Sequence, residues 1–263
     1  MLTPNRPTAP AHQVPPGAIG HNRGVVKRNY AFIPPEGVLA SRLPEWPGAI
    51  VRFLAAPSLG AKFAQFILEI PATSGTASHI TSDVQHFLYV LDGDATLHIQ
   101  GAAHPVTTGA YAYIPPATPF TLATTAPTRI LVVKKRWQPA PGLEIPPAFM
   151  KQRDDAAITN HTGQQGRGFI HLTGYGDLRH DFEMNLMFFE PGTCFPAVET
   201  HIMEHGLYML EGQGLYLLGK DWHEIWTGDF IWMGSFCPQQ FYPTGYGRAV
   251  YLLYKDVNRD VVL

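Results

Sequence analysis

Ten residues of the first half, Val84 to Gly93 (VQHFLYVLDG), return in the second half as Met203 to Gly212 (MEHGLYMLEG). The offset between them, 119 residues, restricts the fold more than any other feature of the chain. A second pair keeps the same offset. Gly109 in TTGAYAYIPP stands against Gly228 in WTGDFIWMGS, and each turn glycine leads into an aromatic-rich strand. A chain of 263 residues that repeats itself this way is two small domains built on one plan.

Both halves consist of short runs rich in Val, Ile, Tyr, Phe and Trp, broken by Gly, Pro and Asp at intervals of roughly ten residues, the pattern of antiparallel sandwiches and barrels. Strands are predicted over Ala64–Ile70, Phe87–Leu91, Tyr111–Ile114, Ile130–Lys134, Asn185–Phe189, Leu207–Leu210, Asp229–Met233 and Ala249–Tyr254. Little of the chain has helical period, so the class is all-β. Pro-rich residues 139–147 read as the linker between an N-terminal barrel over 25–138 and a C-terminal barrel over 148–263. Residues 1–24, rich in Pro and Ala, read as a loose arm suited to lie on a neighbouring subunit.

Charge narrows the partners. The formal net charge is −2 and 15% of residues are charged, so there is no broad basic surface for nucleic acid or an anionic membrane, and a small molecule is the expected partner. The arm lacks the continuous apolar run of a signal peptide, and no segment reaches the about 18 apolar residues of a membrane span. Cys194 and Cys237 are the two cysteines, far apart in a chain too large to need stapling, which fits a reducing compartment and a cytoplasmic location.

The chemistry concentrates in the second half. Glu199 and His201 are two apart on a predicted strand, so their side chains leave one face, and His205 follows a short turn. Imidazole and carboxylate at this spacing suit Mn, Fe or Zn, while no thiolate spacing supports a structural zinc. The order Glu199, His201, His205, Gly212 resembles the first motif of the cupins with its ligand types permuted. Counting the second cupin motif from Gly228 reaches Gln239 where the motif has its histidine, with Phe236 and Pro243 replacing the motif's glycine and asparagine. The same count in the first half lands on Ile80, Ser82, His86 and Phe120, of which His86 alone can coordinate, so that barrel is expected to be structural. The expected architecture is therefore a bicupin, two tandem double-stranded β-helix (jelly-roll) barrels with one metal in the C-terminal one.

Longer strings carry a closer resemblance. ETHIMEHGLYMLEGQGLYLL, GDFIW, FCPQ and YLLYKDVNR, with RGVVKRNYAFIPPEG and GAKFAQFILEI in the first half, resemble the (S)-ureidoglycine aminohydrolases, bicupin enzymes of allantoin degradation. The likeness spans nearly all of the chain after Arg23. It implies manganese, with iron(II) or another divalent ion as a substitute, on Glu199, His201, His205 and Gln239. It implies substrate contacts from Tyr216, Tyr251 and Lys255 as well as from Glu199 and Gln239, with Lys255, Tyr216 and Tyr251 as the catalytic set. It also implies a homo-oligomer, and hydrolysis of (S)-ureidoglycine to (S)-ureidoglycolate and ammonia.

On an inward strand face Lys255 would offer its charge to the substrate carboxylate. The general acid and base are open among Tyr216, Tyr251 and Glu183. Against these stand ordinary barrel-filling roles for the tyrosines and a snorkelling lysine. Cys194 and Cys237 read as inert thiols. His21, His79, His98, His104, His161, His171, His180 and His223 follow no ligand spacing and read as solvent-facing or satisfied by neighbours. A cupin dioxygenase and a non-enzymatic ligand-binding barrel are the rival functions, and oxygen uptake separates the first from a hydrolase.

Overall fold

The protein is described by a computed structural model over residues 23–256 and 259; residues 1–22 of the expected arm lie outside the described residues. The first half forms β1 (Val25–Val26), β2 (Tyr30–Ile33), β3 (Ile50–Ala55), β4 (Ala64–Ile70), β5 (Gln85–Asp92), β6 (Asp94–Ile99), β7 (Ala102–Thr107), β8 (Ala110–Ile114), β9 (Phe120–Thr124) and β10 (Thr128–Lys135). The second forms β11 (Phe149–Gln152), β12 (Arg167–Thr173), β13 (Phe182–Phe189), β14 (His205–Glu211), β15 (Gln213–Leu218), β16 (Asp221–Trp226), β17 (Phe230–Met233), β18 (Gln239–Pro243) and β19 (Ala249–Asp256). No α-helix occurs among the described residues, as the all-β reading requires. Each predicted strand lies within an observed one, save that β17 begins at Phe230, one residue after Asp229.

Each half pairs a large sheet with a three-stranded one. The large sheets run β11-β8-β5-β10-β4-β3 and β1-β2-β17-β14-β19-β13-β12, and the small ones β7-β6-β9 and β16-β15-β18. Residues 136–148 connect the halves without a strand. Strand alternation then sorts the core into three layers. On β10, Ile130 and Val132 point into the first barrel while Leu131 and Val133 point away from it. On β19, Ala249, Tyr251 and Leu253 fill the second barrel while Val250, Leu252 and Tyr254 point away. The outward sets meet face to face, so the large sheets are buried on both sides. At about 1.5–3 kcal/mol for each fully buried large apolar side chain, this shared layer makes the barrels one body.

Two strands cross the expected boundaries. β2, counted with the N-terminal barrel over 25–138, pairs with β17 of the other half, placing Tyr30 and Phe32 in the second barrel's core. β11, counted with the C-terminal barrel over 148–263, pairs with β8. Each half thus covers an edge of the other's large sheet, where unpaired N–H and C=O groups would otherwise face water. The end of the expected arm, Arg23, is likewise fastened rather than loose. Its guanidinium bonds both oxygens of the fully buried Asp229, at 2.8 and 2.9 Å, and stacks on Trp226.

Between the barrels lies a polar knot. Lys135 Nζ is 2.6 Å from Asp181 Oδ2, with both side chains almost wholly buried. Asp181 also accepts from Gln85 Nε2 and from the Gln138 amide, and Gln85 Oε1 accepts from the Tyr113 hydroxyl. The buried carboxylate is thereby satisfied from two strands and a loop.

Candidate metal centre

The repeat extends to the detail of the site. Glu199 and Gln239 form an isolated antiparallel bridge, and 119 residues earlier Ile80 and Phe120 form the same bridge. The Glu199 amide donates to the Gln239 carbonyl at 2.8 Å and the Gln239 amide donates to the Glu199 carbonyl at 3.0 Å, so the two side chains leave one face side by side. His205 opens β14, and His201 is pinned in the preceding loop by the Phe236 amide, which donates to its carbonyl at 2.7 Å. Phe236 occupies the place of the motif's usual glycine, and its φ of +61° is the left-handed backbone that glycine takes without strain.

In the second barrel the side chains converge. His205 Nε2 is 3.2 Å from His201 Nε2, and the Gln239 amide nitrogen is 2.8 Å from the same His201 atom. His205 Nδ1 faces the Tyr254 carbonyl at 3.3 Å, so Nδ1 carries the proton and Nε2 presents a lone pair. Burial, with His201 adjacent, pushes the His205 imidazole down to about 3, which keeps it in the neutral, ligand-competent form. His201 Nδ1 is buried without a partner. The Tyr216 hydroxyl donates to Gln239 Oε1 at 3.0 Å. An exchange of the Gln239 amide ends would turn that oxygen toward the two imidazoles and leave the nitrogen to donate to Tyr216.

Glu199 is the member that stands apart. Its Oε1 is 3.9 Å from Arg167 Nη1, and among the described residues no group of three or more His, Cys, Asp or Glu side chains stands at metal-binding distances. Two imidazoles facing each other through their lone-pair edges, with an amide and a carboxylate beside them, nevertheless form a donor set that fits a divalent cation. In the first barrel the same positions hold Ile80, Ser82, His86 and Phe120. There the His86 ring packs edge-on against Phe120, and burial pushes its pKa down to about 3. What separates it from His205 is its company, because Ile80 and Phe120 stand where Glu199 and Gln239 do and bring no donor.

Three further expected residues line the second barrel. Tyr216 and Tyr251 are buried among Phe189 and Phe241. Burial pushes both phenols above their ordinary range, so at neutral pH they can donate a proton and not abstract one. Lys255 is the direct cross-strand neighbour of His205 on one side and of Glu183 on the other. Its Nζ is 2.9 Å from Glu183 Oε2.

His171 is held by a neighbour, as expected, and extends a polar row: Asn185 Oδ1 is 2.9 Å from its Nδ1, and Asn185 Nδ2 donates to Glu183. One feature was not read from the sequence. Arg167 is buried at the start of β12 on the face of Phe169 and His171. The alternation of RGFIHL, with a cation, an aromatic and an imidazole on one face, was the available signal.

Fold and site together define a bicupin whose C-terminal barrel brings His201, His205 and Gln239 together. The cupin domain family model matches residues 66–134. The probable (S)-ureidoglycine aminohydrolase of Oryza sativa subsp. japonica is 32% identical over 98% of this chain and 82% of its own length. The (S)-ureidoglycine aminohydrolase of Escherichia coli is 31% identical over 91% of this chain and 93% of its own. A crystal structure of a putative glyoxylate-induced protein from Pseudomonas aeruginosa superposes with a TM-score of 0.83 at 35% identity, covering 92% of this chain and 94% of that one. The chain belongs to the (S)-ureidoglycine aminohydrolase family.

Proposed function

We propose that the protein is a metal-dependent hydrolase that releases ammonia from (S)-2-ureidoglycine and forms (S)-ureidoglycolate, a step of allantoin and purine catabolism. The observation that carries this reading is the convergence of His201, His205 and Gln239 beside Glu199, in a chain whose named relatives are aminohydrolases over nearly its whole length. Glu199, His201, His205 and Gln239 would hold a divalent ion, manganese in this reading, which when bound supplies a Lewis acid for the substrate oxygens and an acidified water.

The remaining work belongs to the chain. The reaction breaks the carbon–amine bond, forms a carbon–oxygen bond to water and consumes one water molecule. Water must lose a proton and the amine must leave with one, each transfer contributing about 10²–10⁴-fold when a group is well placed. The Lys255–Glu183 pair lies one strand from His205 and supplies both partners: Glu183 accepts a proton from water and the Lys255 ammonium donates one to the departing amine. Tyr216 fixes Gln239 through its hydroxyl, and Tyr251, buried against Phe189 and Phe241, offers a phenolic donor to the substrate. Anchoring the substrate at several points on one carbon dictates which face meets water, and so gives a single stereoisomer. The reading carries with it a cytoplasmic homo-oligomer acting on a small molecule, with no nucleic-acid or membrane partner.

The test is ammonia release from freshly generated (S)-ureidoglycine, measured against the spontaneous background, with oxygen uptake followed in the same vessel and the product resolved on a chiral column. Accelerated release of ammonia with (S)-ureidoglycolate and no oxygen uptake is the expected result. Oxygen consumption would favour a cupin dioxygenase, and neither reaction would favour a ligand-binding barrel.

A further inference from the structure

A substrate that carries a carboxylate needs a counter-charge, and the Lys255 ammonium is already neutralised by Glu183 at 2.9 Å. Another cation in the same barrel is not matched in this way. The Arg167 side chain is 7% exposed, yet its Nε is buried without a hydrogen-bond partner. Its nearest carboxylate oxygen, Glu199 Oε1, is 3.9 Å from Nη1, beyond hydrogen-bond range. A buried guanidinium with an unpartnered Nε and its nearest carboxylate beyond hydrogen-bond range is costly, so one that persists calls for an acceptor that arrives from outside.

Its surroundings also aim it. The Cζ atom lies 4.3 Å from the Phe195 ring centre, 5.1 Å from Phe169 and 5.5 Å from Phe189. Three aromatic rings hold the guanidinium with its Nη1 beside Glu199, and an N–H fork so placed matches a carboxylate. We propose that Arg167 is the specificity-determining residue that receives the carboxylate of the substrate, so that Lys255 is kept by Glu183 for proton transfer. The inference rests on the substrate class of the reading above, a small carbamoyl-bearing monocarboxylate.

The test is calorimetric binding of N-carbamoylglycine, a stable mimic lacking the labile amine, and of its uncharged amide, to purified wild-type, Arg167→Met and Arg167→Lys protein, each as isolated and after manganese loading. Thermal melts and steady-state kinetics on (S)-ureidoglycine accompany it. Wild type should bind the acid more tightly than the amide. Arg167→Met should weaken the acid at least tenfold, leave the amide unchanged, and raise KM at least tenfold while kcat changes less. Arg167→Lys should fall between the two. The Met variant should melt no lower than wild type, because it removes a buried charge whose Nε lacks a partner.

Equal losses for acid and amide, no loss for the acid, wild-type indifference to the charge, or a lower melting temperature with both ligands lost would each overturn the assignment. Wild-type protein that releases no ammonia would refute the reaction proposed above, while the acid-against-amide comparison still decides the role of Arg167.

Discussion

Replacing Lys135 by Met strips the counter-charge from Asp181 at the joint between the barrels. The two charged atoms are 2.6 Å apart. At an effective dielectric of about 20, their attraction is about 6 kcal/mol. Part of that is offset, because the variant no longer desolvates an ammonium. Asp181 keeps its bonds from Gln85 Nε2 at 2.6 Å and from the Gln138 amide at 2.8 Å, so the carboxylate is left partly satisfied but uncompensated. The expected net loss is about 3–5 kcal/mol, a large share of the ~5–15 kcal/mol that holds a typical protein folded. Urea denaturation followed by tryptophan fluorescence measures it as a fall in the midpoint. The companion variant Lys135→Met/Asp181→Leu removes both charges, and should recover all but about 2 kcal/mol despite the orphaned Gln85 amide. A single substitution that costs under about 1 kcal/mol, or a double variant no better than the single, would refute the argument that this pair is electrostatically coupled.

Other substitutions read other parts of the account. Tyr216→Phe removes the hydroxyl that holds Gln239 Oε1, and should weaken manganese retention about 10–100-fold in a competition with a chelator while leaving the melting temperature within a few degrees. Lys255→Met should leave metal content normal and lower kcat more than it raises KM, as read by steady-state ammonia release. Phe236→Gly relieves a left-handed backbone at an exposed side chain, and should raise stability by about 1 kcal/mol in the same urea assay. The folded-state pKa of His86 is about 3 against 6.5 for the free side chain, so its contribution is present above pH 6.5 and is lost as pH falls toward 3. Wild type should therefore lose about 3 kcal/mol more than His86→Phe between pH 7 and pH 4, measured by urea midpoints across that range.

The strands were legible because alternation and turn residues are local. Ala64–Ile70 is both the predicted and the observed β4, and the 119-residue offset carries over to the matching bridges Ile80–Phe120 and Glu199–Gln239. The domain boundaries were not legible. Which sheet edge Tyr30–Ile33 or Phe149–Gln152 covers is decided by long-range pairing, and nothing in YAFI or FMKQ names a partner.

Spacing found His201, His205 and Gln239, because a barrel of fixed strand lengths turns sequence distance into position. It could not find that Lys255 is bound to Glu183, since two residues 72 positions apart become neighbours only through the β13–β19 register. Arg167 escaped for a related reason. A lone arginine at a strand start looks like any surface cation until Phe169, Phe189 and Phe195 are seen around it.

The most direct measurement is a titration of manganese into chelated protein while ammonia release from (S)-ureidoglycine is followed. Activity should rise linearly and stop at one equivalent per chain, and His205→Ala should show no rise at any ratio. Activity that survives chelation, or a break at two equivalents per chain, would contradict a single catalytic metal in the C-terminal barrel.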